Sequence, residues 1–433
     1  MGMKSYRLHD LSPDRIGELC TRNPIEDLTL LETCRAIFDA VEARGDEAVR
    51  EYTFHFDGVQ TPVLGVAPEE FAEAGMQVSE DSARALRRAE ANIRTFHQTQ
   101  GISREVHEIE PGIRCWRESR PIASVGLYVP GGTAVLPSTV LMLGVPARIA
   151  GCSEVTLCVP PRPDGSVAAE VLVAAEIAGI SDVLRIGGAQ AIAAMCVGTE
   201  TVSRVDKILG PGSRIVQSAK LLASLRGTAI DMVAGPSEVL VVADETAVPE
   251  FVASDLVAQA EHGSDSQAVL VSTSESILTE VGSLLESTTR DLPRRRFAAD
   301  ALEQSFSVLA PSLEDALRFA NTYAPEHLIL HLQDPQQWVR NVDSAGSVFL
   351  GPWSPEVAGD YASGTNHTLP TSGLAKSFSG VSLDSYLKKI TFQELSEEGL
   401  RALAPTLETL AKLEELEGHR RAVEVRLDRG SME

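Results

Sequence analysis

The sequence predicts an α/β protein built on largely parallel sheets, and three observations carry that prediction. From Ile122 onward, short β-branched runs end in glycine or proline and lead into helical patterns, the sequence form of successive βαβ units. Before that point the apolar positions follow a helical period, at 30, 31, 34, 37, 38 and 41 within Leu30–Ala43, and again along Asp81–Phe96, whose outer face is strongly charged. With 43% hydrophobic and 23% charged residues, the 433-residue chain has the balance of a globular protein, which excludes disorder, collagen and coiled coil; at roughly 150 residues per domain it makes about three folding units.

In order, the first 120 residues read mainly as packing helices. Strands are expected at Ile122–Val129, Val155–Val159, Val183–Ile186, Lys207–Leu209, Val239–Ala243 and Ala268–Ser272, then at Phe306–Leu309, Leu328–Leu332 and Ser347–Leu350, with helices between most of them. A helix is expected over Glu250–His262 and another ending near Tyr323. The texture changes again after Ser385, and the glutamate-rich tail Phe392–Arg426 reads as helix interrupted by Pro405, with His419 at the end of its last helical stretch.

Lysine and arginine total 38 against 61 aspartate and glutamate, a net charge of −23, so the molecule repels phosphate backbones and anionic membranes and no nucleic-acid partner is expected. No stretch reaches the ~18 uncharged apolar residues of a membrane helix. The polar start, with Ser5, Arg7, His9 and Asp10, has neither signal-peptide nor transit-peptide composition, so a cytoplasmic location is expected. The six cysteines (20, 34, 115, 152, 158, 196) form no CxxC pair and sit mostly among apolar neighbours, which suits buried thiols in a reducing compartment.

Three glycine-rich turns follow expected strands: Tyr128-Val129-Pro130-Gly131-Gly132, Gly187-Gly188-Ala189-Gln190 and Gly210-Pro211-Gly212-Ser213. Each leads to a helix start, where free N–H groups favour an anionic group such as a pyrophosphate, although none is a GxGxxG fingerprint and a plain turn is the bland alternative for any one alone. Five of the nine histidines, at 262, 327, 331, 367 and 419, fall in the last 172 residues beside acids or amides. Gln259 and His262, three apart on an expected helix, face one side as a metal-ligand pair must; a helix-terminal histidine capping a carbonyl is the competing reading. Glu326 and His327 follow Pro325 at an element boundary, a usual place for acid/base residues and equally for a surface salt link. The segment from Gly359 through Asp360 to His367 holds hydroxyls, an amide, an acid and an imidazole with little to pack a core, which favours a functional loop. The acids around His419 (Glu414, Glu415, Glu417) read on pattern alone as a solvated face.

Taken together and in order, these segments resemble the histidinol dehydrogenase family. The strings carrying the resemblance are VGLYVPGGTAVLPST (125–139), GGAQAIAA (187–194), KILGPG (207–212), IDMVAGPSEVLVVAD (230–244), QAEH (259–262), YAPEHL (323–328), GDYASGTNHTLPT (359–371) and the helix carrying His419, and the likeness runs from about residue 4 to 427. It implies two incomplete Rossmann-like domains, with small N- and C-terminal helical extensions that intertwine in a homodimer. The implied boundaries are 1–24 for the N-terminal extension, 25–128 with 239–381 for a discontinuous first domain, 129–238 for the second and 382–433 for the tail. One Zn2+ per subunit is implied on Gln259, His262, Asp360 and His419, the last reaching the neighbouring subunit's site. The resemblance implies Glu326 and His327 as general bases, L-histidinol as substrate touching Ser237, His327, His367, Glu414 and the zinc donors, and NAD+ on Tyr128, Gln190 and the Ser213 turn.

Ser213 stands where the family usually has asparagine, a shorter donor that puts cofactor affinity in question. The resemblance implies two successive NAD+-linked oxidations, with His327 taking the alcohol proton and Glu326 activating water for the aldehyde step. A thiohemiacetal on Cys152 is the competing route. A paralogue acting on another amino or sulfonated alcohol, a zinc hydrolase and a non-catalytic binding protein are the alternative readings; Glu414 disfavours a sulfonate, and a requirement for NAD+ separates the dehydrogenases from the rest.

Overall fold

The structure, a computed structural model, describes residues 3–22, 28–101, 104–131 and 135–429. It divides into two compact units, Met1–Gln100 with Ile122–Tyr386, and Gly101–Pro121 with Leu387–Glu433. In chain order the described strands are β1 Lys4–Arg7, β2 Val106–Glu110, β3 Ile113–Pro121, β4 Ser124–Tyr128, β5 Glu154–Val159, β6 Asp182–Arg185 and β7 Lys207–Leu209. They continue with β8 Ala229–Ile230, β9 Glu238–Ala243, β10 Gln267–Ser272, β11 Phe306–Leu309, β12 His327–His331, β13 Ser347–Leu350 and β14 Leu387–Leu395. All nine expected strands are present within a residue or two of their predicted ends.

The first unit holds two parallel sheets, one ordered β6-β5-β4-β7-β8 and the other β1-β11-β10-β9-β12-β13. Numbered from its own first central strand, each reads 3-2-1-4-5, the order of a doubly wound nucleotide fold without its sixth strand, and β1 adds to the edge of the larger sheet. Near-continuous apolar runs such as Val239–Ala243 are the composition a strand needs when helices cover both faces. The helices Leu28–Arg44, Gly188–Val197 and Arg214–Leu225 cover one face of the five-stranded sheet, and Pro137–Ala150 with Ala169–Ala178 cover the other.

This grouping corrects the expected domain boundaries. Residues 28–98 and β4, expected with the six-stranded sheet, belong to the five-stranded one. β4 is its central strand, and the predicted stripe Cys34, Ile37, Phe38 and Val41 is buried against Ile186, Ala191 and Ile192. The apolar faces exist in the sequence, but which sheet they cover is decided by the pairing of β4.

The second unit is an antiparallel sheet, β14-β3-β2, with the helices Glu397–Leu413 and Glu417–Arg429. Its strands were read as helix or left unassigned. Trp116 of β3 lies opposite Phe392 of β14 and stacks on it with centroids 5.5 Å apart, a cross-strand aromatic pair. The tail reading is corrected as well: Phe392 is in a strand and Pro405 lies inside a helix. The break comes instead at Glu414–Leu416, where Glu415 adopts φ 57°, so His419 opens a helix. Among the described residues no helix is long and apolar enough to cross a membrane.

Candidate active site

β9 and β12 are neighbouring interior strands of the six-stranded sheet and, being parallel, are entered from the same side. Ser237 directly precedes β9, Glu326 directly precedes β12, and His327 is the first residue of β12. The approach to β12 is sharp: the helix Leu313–Tyr323 ends on Ala324, a non-glycine residue at φ 53°, and Pro325 bars that residue from continuing the helix. Gly346 N–H donates to Pro325 O (2.9 Å) and Ser347 N–H to Glu326 O (2.9 Å). A Cβ on Gly346 would lie 2.6 Å from Glu326 O, so this close approach requires glycine.

The residues nominated from the sequence converge on a cavity of about 440 Å³ lined by Ser237, Gln259, His262, Glu326, His327, Asp360 and His367. His262 lies two residues past the helix Pro249–Ala260, and its N–H donates to Gln259 O (3.2 Å), which keeps both on one side. Asp360 comes from the short helix Glu356–Tyr361, so the start of the expected 359–367 loop is helical. Its Oδ2 lies 3.7 Å from His262 Nε2 and its Oδ1 3.4 Å from His327 Nε2. The other ring nitrogen, His327 Nδ1, faces Glu238 O (3.3 Å), Glu356 Oε1 (3.6 Å) and Glu326 Oε2 (3.7 Å). Glu326 Oε2 also accepts from Glu238 N–H (2.9 Å), so the backbone of Glu238 addresses both members of the pair.

Electrostatically the cluster is acid-rich. Burial pushes the Glu326 carboxyl up to about 8. Burial alone would lower His327, but Glu356, Glu326 and Asp360 outweigh it and push the imidazole up to about 10. Burial raises Glu356 and lowers His367. Three buried carboxyls around one imidazole form a basin that favours a cation.

The donor set fits one. Oxygen or nitrogen atoms of His262, Glu356 and Asp360 all lie within 4.8 Å of one another. The Gln259 amide is buried, and among the described residues neither of its polar atoms has a hydrogen-bond partner, a costly state unless something else takes the amide. Neutral imidazole, carboxylate and amide oxygen are ligands suited to a borderline divalent ion such as Zn2+.

Glu356 was missed from the sequence. The signal was there: Glu356 and Asp360 are four apart and so share a helix face. Thr139 was also missed; its Oγ1 donates to His367 Nε2 (3.1 Å) while His367 Nδ1–H donates to Asp360 O (2.8 Å), so this imidazole is engaged on both sides. Cys152 is buried in the apolar core, and burial pushes its thiol up to about 11, which leaves the thiohemiacetal route without a reactive thiolate. Glu414 and His419 belong to the second unit. Gly132 lies outside the described residues.

A second cavity, of about 540 Å³, lies at the glycine-rich turns. Tyr128, Pro130, Gly131, Gly188 and Ser213 line it, and Pro130, Gly131, Leu136 and Ser213 also line the first cavity. Tyr128 Oη accepts from Gly188 N–H (3.0 Å), which ties two of the turns together. Gln190 is fully buried and neither polar atom of its amide has a partner; like Gln259, it calls for an acceptor and a donor from elsewhere. Ser213 stands at the N-terminus of the helix Arg214–Leu225 with its side chain making no cap bond.

The geometry therefore combines an acid/base pair, a cation donor set and an adjoining cavity at strand-to-helix turns. A family model described as histidinol dehydrogenase matches residues 20–427. Histidinol dehydrogenase, chloroplastic, of Arabidopsis thaliana is 50% identical over 98% of this chain and 91% of that protein. Histidinol dehydrogenase of Bacteroides thetaiotaomicron is 49% identical over 96% of this chain and 97% of that protein. The crystal structure of histidinol dehydrogenase from Elizabethkingia anophelis superposes with a TM-score of 0.95 at 45% identity, covering 99% of both chains. The chain belongs to the histidinol dehydrogenase family.

Proposed function

We propose that this chain catalyses the NAD+-dependent four-electron oxidation of L-histidinol, through L-histidinaldehyde, to L-histidine. The observation that carries the reading is the placement of Glu326 and His327 in one cavity with the Gln259, His262 and Asp360 donors. Gln259, His262 and Asp360, with His419 of a second copy as fourth donor, would hold Zn2+, which would supply coordination for the substrate's imidazole and amine nitrogens and positive charge against the carboxylates facing His327. NAD+ held at the Tyr128, Gln190 and Ser213 turns supplies the hydride acceptor.

His327 removes the hydroxyl proton of the alcohol as the carbon is oxidised. Glu326, anchored by Glu238 N–H, activates a water that adds to the aldehyde, and His327 then removes a proton from the hydrate. Ser237 and His367, which line the cavity wall, serve as substrate contacts. The strand order 3-2-1-4-5 of both sheets supports reading them as incomplete Rossmann-like domains. A homodimer is supported by the second unit's exposed apolar side chains, among them Ile109, Leu410, Leu413 and Val425.

Glu326→Gln separates the two half-reactions. It is expected to oxidise histidinol to the aldehyde and to fail on supplied histidinaldehyde; normal aldehyde oxidation by this variant would refute the role given to Glu326.

A further inference from the structure

The Gly210–Ser213 turn and the segment Asp231–Ser237 both line the candidate active-site cavity, and neither belongs to a sheet ladder. Asp231 N–H donates to Ile208 O (3.2 Å) and Ser237 O accepts from Gln267 N–H (3.1 Å), but several of the backbone polar groups between are met by side chains. Three residues, none of them nominated from the sequence, satisfy five of these groups. Lys220 Nζ donates to Gly210 O (2.8 Å) and pairs with Asp231 Oδ1 (2.5 Å). Asp231 in turn accepts from Gly210 N–H (2.8 Å) and Met232 N–H (2.7 Å). Gln217 Nε2 donates to Gly212 O (3.3 Å), and Gln217 Oε1 accepts from Ala234 N–H (3.2 Å).

Gln217 and Lys220 are three apart on the helix Arg214–Leu225, so they present one buried polar face to both segments. The Lys220 and Asp231 side chains are each only 1% exposed. A buried ion pair contributes no more stability than a well-packed apolar pair and fixes geometry more narrowly, so stability alone does not account for it. What it fixes is a tight place: Gly210 sits at φ 131°, and a Cβ there would meet Tyr128 O at 2.1 Å. A turn so close to Tyr128 moves only together with it.

We propose that Lys220, Asp231 and Gln217 are positioning residues that hold the Gly210–Ser213 turn against Tyr128 and the Asp231–Ser237 segment, and so set the affinity for the nicotinamide cofactor. The inference rests on the reading that NAD+ binds at these turns. It adds three residues that act through the turn and the segment they hold; Lys220 and Asp231 also line the cavity, and Gln217 does not.

The test is calorimetric titration of zinc-loaded protein with NAD+, for the wild type, Lys220→Gln, Lys220→Arg and Tyr128→Ala, with zinc content and circular dichroism measured alongside. Lys220→Gln is expected to weaken NAD+ binding about tenfold or more, with zinc content unchanged and affinity partly restored in Lys220→Arg. A purely structural role would lower thermal stability without this selective loss. Unchanged NAD+ affinity in folded Lys220→Gln overturns the inference; should that variant not fold, Gln217→Ala, which leaves the ion pair in place, takes over with the same criterion. Tyr128→Ala distinguishes the two levels. If it too leaves NAD+ affinity unchanged, the placement of the cofactor fails; if it weakens binding while Lys220→Gln does not, only the positioning role falls.

Discussion

The two parallel sheets share a strand order and are used at opposite ends. In the five-stranded sheet, the glycine-rich turns after β4, β6 and β7 leave the carboxyl ends of the strands and line a cavity, as ligand sites in open α/β sheets generally do. In the six-stranded sheet, Ser237, Glu326 and His327 stand at the amino ends of β9 and β12, the same two central positions. At the carboxyl end of β9, the Asp244 carboxylate accepts from Thr246 N–H (2.9 Å), Thr246 Oγ1 (2.6 Å) and Gln333 N–H (2.8 Å), which uses it up locally. In the proposed reading one topology serves as a cofactor platform in one half and a catalytic platform in the other, and strand order alone does not say which end of a sheet lines a cavity.

The largest expected effect breaks the catalytic end. His327→Asn is expected to lower turnover in both half-reactions by roughly 10²- to 10⁴-fold while zinc content and NAD+ affinity stay near wild type, checked by steady-state rates and equilibrium titration. A loss confined to NAD+ affinity would place His327 at the wrong site.

Next comes the dependence on pH and metal. In the metal-free protein, Glu326 is raised from 4.5 to about 8 and His327 from 6.5 to about 10. Both folded-state values lie above the unfolded ones, so each contribution to stability is full below the unfolded value and is lost as pH rises through the folded one. The metal-free form is expected to lose thermal stability from about pH 4.5, the unfolded value of Glu326, to about pH 10, the folded value of His327, and the zinc-loaded form to lose less. Parallel melting curves for the two forms would show that the acid cluster holds no cation.

At the other end of the comparison, Gln190→Ala is expected to weaken NAD+ binding about tenfold with unchanged zinc content, read by titration. The smallest effect on catalysis belongs to the carboxyl end of β9. Asp244→Ala is expected to cost about 1–3 kcal/mol of folding stability by denaturant titration and to leave turnover per folded molecule unchanged. A marked loss of turnover there would mean that this end of the sheet is functional too.

Much of this contrast was legible in the sequence. Short β-branched and apolar runs, several ending in glycine or proline, located the nine expected strands, and Pro325 marked the break before Glu326. The edge strand β1 and the antiparallel strands were not legible, because a short or largely exposed strand such as β2 carries no apolar run to distinguish it. The affiliation of residues 28–98 depends on which sheet takes β4, a long-range choice that no local pattern states. At the site, Ser237, Gln259, His262, Glu326, His327, Asp360 and His367, each with a motif or a resemblance behind it, line one cavity. Glu356 and the Gln217, Lys220 and Asp231 group act on neighbours that only folding supplies, and they were not found.

The central claim is a four-electron oxidation at a single site, and its most direct test is the amount of NADH formed from a limiting quantity of L-histidinol by the zinc-loaded protein. The account predicts two NADH per histidinol, with L-histidine as product and no free aldehyde accumulating. One NADH per histidinol with the aldehyde released, or none from folded, zinc-loaded protein, would contradict it.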